Sequence, residues 1–252
     1  MATSIDRLRD IVAKLRAPDG CPWDREQTHQ TLKAHLLEEC HEVIDAIDEG
    51  DNAGLQEELG DLLLQVVLHS QMASEEGRFD LDRVADVISD KLVRRHPHVF
   101  GPNRLPDSEA VLKQWDVIKR DEKKERKSIL DGIPKALPAL ARAQKLQARA
   151  ARIGFDWNKA AEALAKVREE VEEIHLAPAD FVGEEIGDLL FAVVNFARKN
   201  RLDAEQALAA ANAKFRRRFQ SMEQLAQDRG VDLASLSLDE MDRLWNEVKA
   251  HG

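Results

Sequence analysis

The chain has 252 residues, a formal net charge of −10 and two cysteines, Cys21 and Cys40. The length allows one large or two small domains, and the charge argues against nucleic acid or an anionic membrane as partner. Two cysteines argue against a disulfide framework and suit a reducing compartment. The absence of tyrosine and the abundance of Leu, Ala, Glu and Arg point to an all-α protein. The segment MATSIDRLRD is charged where a signal peptide needs an apolar run, and no window reaches membrane-spanning length, so a cytoplasmic protein is expected.

Helical periodicity predicts helices near 4–16, 28–49, 52–77, 80–95, 107–125, 135–152, 158–176, 179–199, 203–228 and 237–250. They are punctuated by Pro18-Asp19-Gly20, Gly50-Asp51, Gly77, Pro97 with Gly101-Pro102, Pro178 and Gly230. No stretch sustains the period-two alternation of a strand, so no substantial sheet is expected. The segment 126–138, RKSILDGIPKALP, reads as a linker between a domain at 1–125 and a domain at 139–252.

The second domain repeats the first. KLVRR at 91–95 matches KFRRR at 214–218, Trp115 matches Trp245, and Trp23-Asp24 and Asp156-Trp157 each precede an acidic helix. Features recurring in one order indicate an internal duplication, giving two tandem copies of one helical domain.

Each copy carries a carboxylate constellation. The first is Glu38, Glu39 and Glu42, followed by Glu57, Glu58 and Asp61; the second is Glu169, Glu170 and Glu173, followed by Glu184, Glu185 and Asp188. Residues three or four apart share a helix face, so each half aims several acids at one spot. Apolar neighbours surround them, and like charges facing one another across a helix pair resist desolvation. A hard divalent cation with oxygen ligands, Mg²⁺ or Mn²⁺, relieves that conflict. Gly60 and Gly187, just before the aspartates, suggest close approach of another helix or a ligand, because a helical glycine costs about 1 kcal/mol relative to alanine. Glu38-x-x-His41 and Glu172-x-x-His175 match the pattern of di-iron bundles but lie out of register between the copies, so both histidines are read as packing or surface residues.

Magnesium held by a few carboxylates implies a phosphate-bearing ligand. Lys91 with Arg95, and Lys214 with Arg218, are i, i+4 pairs able to meet one anion, against the simpler reading of a basic outer stripe. Trp115 and Trp245 suit either stacking on a base or filling core.

These residues resemble the MazG family of nucleoside triphosphate pyrophosphohydrolases over nearly the whole chain. The resemblance is carried by CPWDREQTH at 21–29, LLEECHEVIDAI at 36–47, EELGDLLLQVVLHSQM at 57–72 and KLVRRHPHVFG at 91–101. It continues with ILDGIPKALPAL at 129–140, GFDW at 154–157, EEIGDLLFAVVNFAR at 184–198 and KFRRRF at 214–219. It implies an all-α homodimer that uses Mg²⁺ to hydrolyse nucleoside triphosphates to monophosphate and pyrophosphate, chiefly in the second domain. Carried over, Glu170, Glu173, Glu185 and Asp188 would hold the metal, and Glu169 and Glu184 would assist as further ligands or as the base that orients water. Lys214 and Arg218 would bind the triphosphate, with Trp245 near the nucleotide. The first-domain set is Glu39, Glu42, Glu58 and Asp61, with Glu38, Glu57, Lys91, Arg95 and Trp115 around it.

The chain departs from the family at Phe181-Val182-Gly183, where relatives tend to carry a lysine and a further acid; Lys166 would substitute for that phosphate contact, against the simpler reading of a surface lysine. The competing reading is a non-catalytic, metal-dependent nucleotide sensor or partner-binding protein, with the first copy the better candidate for a regulatory role.

Overall fold

The computed structural model describes residues 3–102, 104–122 and 128–251, with no strand among them. The chain divides into two compact units, 1–124 and 125–252. The break falls within 123–127, so the first residues of the expected linker lie outside the described residues.

The first unit runs α1 (Ser4–Arg16), α2 (Pro22–Glu26), α3 (Lys33–Glu49), α4 (Asn52–Glu75), α5 (Leu81–Arg95), α6 (Pro97–Phe100) and α7 (Ser108–Asp121). Side-chain oxygens accept from orphan N–H groups at the starts of α1, α4 and α5, where Thr3, Asp51 and Asp80 are the caps. α3 ends at Gly50, whose φ of +70° is the left-handed conformation glycine adopts without a Cβ penalty. Its N–H and that of Asp51 return to Ile47 and Ala46, so the chain reverses within two residues and lays α4 against α3. Beneath this hairpin Val12, Leu32, Val67, Leu68 and Met72 form the core.

The second unit runs α8 (Ala139–Ala151), α9 (Ala160–Leu176), α10 (Val182–Lys199), α11 (Ala204–Asp228), a 3₁₀ turn (Leu233–Ser235) and α12 (Leu238–His251). α9 and α10 form the counterpart hairpin. α8 is fixed to α10 by Gln147, whose amide donates to the Phe191 carbonyl at 2.8 Å. The far end of α11 packs on α12 through Met222, Ala226 and Leu244. In 128–138, Ile129 and Asp131 both offer carbonyls to Arg149 of α8, so this part of the expected linker is fastened to the second unit.

The main helices follow the apolar period, but several boundaries differ from expectation. Residues 28–32 form turns, because Thr28 and Thr31 bond each other's backbone N–H and so compete with the helical ladder. Behind them His29 and His69 stack with Nδ1 atoms 2.7 Å apart. Pro22 and Pro97 open short helices, since proline costs nothing at a first helical position. Pro138 delays α8 to Ala139, because the residue before a proline is pushed out of the helical region.

Candidate metal centre

Each hairpin gathers carboxylates from both of its helices. In the first, ligand oxygens of Glu39, Glu58 and Asp61 lie within 4.8 Å of one another; in the second, those of Glu170, Glu173 and Glu185 do. All are hard oxygen donors, the set a divalent cation such as magnesium or manganese takes.

The first cluster shows the strain of like charges. Burial, then Asp61 and Glu42, push Glu39 above the usual carboxylate range. Glu58 is raised by desolvation and by Glu42, Glu57 and Asp61. Five of the six acids thus feel one another, and the sixth, Glu38, lies 3.5 Å from His35.

The second cluster has an internal cation. Lys166 Nζ lies 2.6 Å from Glu169, 2.7 Å from Glu170 and 3.6 Å from Glu173. Its hydrogen bonds to Glu169 and Glu170 raise its pKa and keep it charged. Glu170 is 5% exposed, and a carboxylate that dry requires such a partner. The spacing 166, 169, 170, 173 already places the lysine on the acidic face. Glu184 and Asp188 are exposed beside Glu185, outside the converging trio.

Gly60 and Gly187 meet no neighbour: a Cβ built on either finds nothing within 4 Å. The close helix expected there is absent within the described residues. His41 and His175 donate through Nδ1 to the carbonyls of Leu37 and Val171, both at 2.7 Å, which occupies them on their own helices.

Among the described residues, the two basic pairs form no ion pair with the acids of either constellation. Lys214 and Arg218 line a cleft of about 730 Å³ with Arg217, Asp228 and Glu247, and none of the six second-unit acids lines it. Trp245 packs against Phe215 at 5.3 Å and borders the α11–α12 core. In the first unit Lys91 is half-buried, and Arg95 is engaged by Glu122, a residue the sequence did not single out. Trp115 meets His96 edge-on at 5.0 Å with Lys119 over its ring; its indole N–H is buried without an acceptor among the described residues.

The MazG nucleotide pyrophosphohydrolase domain matches residues 27–100 and 158–222, more than half of the chain and both acidic hairpins. This chain belongs to the MazG family. It is 48% identical over 254 residues to the nucleoside triphosphate pyrophosphohydrolase of Escherichia coli K12, covering 97% of each chain. It is 44% identical to the nucleoside triphosphate pyrophosphohydrolase/pyrophosphatase MazG of Thermotoga maritima, over 97% of this chain and 95% of that one. Bacillus subtilis YabN, an uncharacterized protein, is 49% identical over 96% of this chain, which spans 51% of YabN.

Proposed function

We propose that the chain is a Mg²⁺-dependent nucleoside triphosphate pyrophosphohydrolase, a cytoplasmic homodimer whose chemistry resides in the second of two tandem domains, 1–125 and 139–252. The observation that carries this reading is the convergence of Glu170, Glu173 and Glu185 around a buried carboxylate with an ammonium already in place. Membership of the MazG family and the names of its relatives supply the reaction class.

Glu170, Glu173, Glu185 and Asp188 would hold Mg²⁺, with Mn²⁺ able to replace it. The ion, when bound, neutralises charge on the phosphates and lowers the pKa of water. Glu169 and Glu184, on the exposed rim, orient the attacking water and accept its proton as the α–β anhydride breaks, leaving monophosphate and pyrophosphate. Lys166 is close enough to the acids to turn from them to a phosphate oxygen. Lys214 and Arg218 stabilise the leaving pyrophosphate, and Trp245 borders the nucleotide. Because Lys214 and Arg218 line a cleft that none of the six constellation acids lines, they are read as reaching the acids of a partner copy.

The test is release of pyrophosphate and monophosphate from nucleoside triphosphates with Mg²⁺, comparing wild type, Glu42→Gln and Glu173→Gln. Glu173→Gln should lose turnover by at least 10²-fold with unchanged helical circular dichroism, while Glu42→Gln retains it. Wild-type activity in Glu173→Gln defeats the site assignment. Nucleotide binding without any product in wild type supports the sensor instead.

A further inference from the structure

The two basic pairs that the duplication sets in register are in different states. In the second unit Lys214 and Arg218 line an open cleft and form no ion pair among the described residues. In the first unit Arg95 donates to Glu122 from Nη2 at 2.5 Å and from Nε at 3.1 Å, and Arg94 Nε donates to the other carboxylate oxygen at 2.7 Å. The Arg95 and Glu122 side chains are 17% and 16% exposed. Two guanidinium groups closing on one oxyanion is the arrangement by which arginines also grip a phosphate.

Register locates the origin of the difference. Aligned on Trp115 and Trp245, Glu122 falls opposite Gly252, a residue with no side-chain carboxyl. The rest of the first unit keeps the features of a ligand site. Glu39, Glu58 and Asp61 still converge, and the Trp115 N–H is buried without an acceptor beside His96, the residue following Arg95. The two guanidinium groups hold the Glu122 carboxyl down to about 2, so it remains an anion throughout the physiological range.

We propose that the first unit carries a second polyphosphate-binding site whose arginines are closed by Glu122, an internal carboxylate standing where a phosphate would lie. The unit is thereby a metal site without nucleotide. The inference rests on the reading of Lys214 and Arg218 as triphosphate contacts, since it transfers their role to the matching pair.

The experiment is calorimetric titration of the full-length protein with α,β-methylene-ATP and Mg²⁺, the methylene bridge blocking cleavage. Wild type should bind one analogue per chain, and Lys214→Met should abolish it. Glu122→Gln should bind two, the added one disappearing in Glu122→Gln/Arg95→Met. One per chain in a folded Glu122→Gln protein overturns the proposal. Two per chain in wild type overturns it without any variant, so a poorly folding Glu122→Gln leaves the idea exposed. Failure of the parent reading looks different: wild type binds no analogue, or binds it regardless of Lys214→Met, and the proposal falls with it.

Discussion

At the scale of single residues, the two clusters meet one electrostatic problem differently. The second unit sets Lys166 among its acids, although burial and Glu170 still raise Glu173, while the first has no such cation and leaves Glu39 protonating early because burial and neighbouring acids disfavour its charge. A carboxyl whose folded pKa lies above its unfolded value of 4.5 binds protons more readily in the native state. Its ionisation therefore opposes folding progressively as pH rises through the interval between the two values. Glu39→Gln should raise the melting temperature of the metal-free protein at neutral pH by about a few degrees. That gain should vanish below pH 4.5, where wild-type Glu39 is neutral in both states. The same variant should lose the share of Mg²⁺ stabilisation that the first-unit cluster contributes, about 2.7 kcal/mol for one site at a hundredfold excess over Kd, and keep the share from the second unit. Thermal melts across pH, with and without Mg²⁺, check both parts; a variant less stable than metal-free wild type at neutrality contradicts them. The acids were legible in the sequence because ligands at i, i+3 and i+4 repeat in two copies. Lys166 obeys the same spacing, but it was read as a phosphate contact or a surface lysine, not as the partner of these acids. Glu122 was not legible, because a carboxylate that meets Arg94 and Arg95 from 27 residues away leaves no local pattern.

At the scale of elements, most helix boundaries follow from chemistry visible in the chain: aspartate caps, Gly50 at a left-handed stop, and apolar residues at the helical period. The turn at 28–32 escaped that reading because Leu32, one of the most buried side chains, fits a helical apolar period that threonine side chains interrupt locally. Pro97 was read as punctuation but opens a short helix, as does Pro22, which the pattern did not mark. The tie between α5 and the residue that follows α7 is a further element-level fact the pattern could not supply, and it has its own pH signature. Glu122 is held at about 2 when folded, against 4.5 for a free glutamate. A depressed carboxylate stabilises the fold fully above its unfolded pKa and ceases to do so as pH falls through its folded one. Glu122→Gln should therefore melt below wild type at neutral pH, with the gap closing between pH 4.5 and about 2. A gap that stays constant over that range means the tie is held by packing alone. The sign is opposite to that for Glu39, so the two variants calibrate each other.

At the scale of the whole molecule, each acidic hairpin leaves an apolar stripe uncovered. Leu37 and Ile44 on α3, and Leu59 and Val66 on α4, recur seven residues apart and are 38–58% exposed. Ile186, Leu190 and Val193 repeat the pattern on α10 at 43–50%. Contiguous apolar stripes of this kind mark surfaces that associate, and Gly60 and Gly187 lie open beside them. A second copy laid on the second-unit hairpin would also bring a foreign α11 toward the acids, supplying the Lys214 and Arg218 that the chain's own cleft keeps apart from them. This arrangement can be separated from a site built within one chain by mixing two dead proteins. Glu173→Gln removes an acid and Lys214→Met a cation, so a mixed dimer sharing its sites across the interface has one site with both defects and one intact. Random exchange of subunits should then restore about a quarter of wild-type turnover from two inactive parents. If each site is built within one chain, every site in the mixture keeps a defect and the mixture stays inactive. Sedimentation on the same samples shows that mixed dimers have formed, so silence would count against sharing and not against exchange.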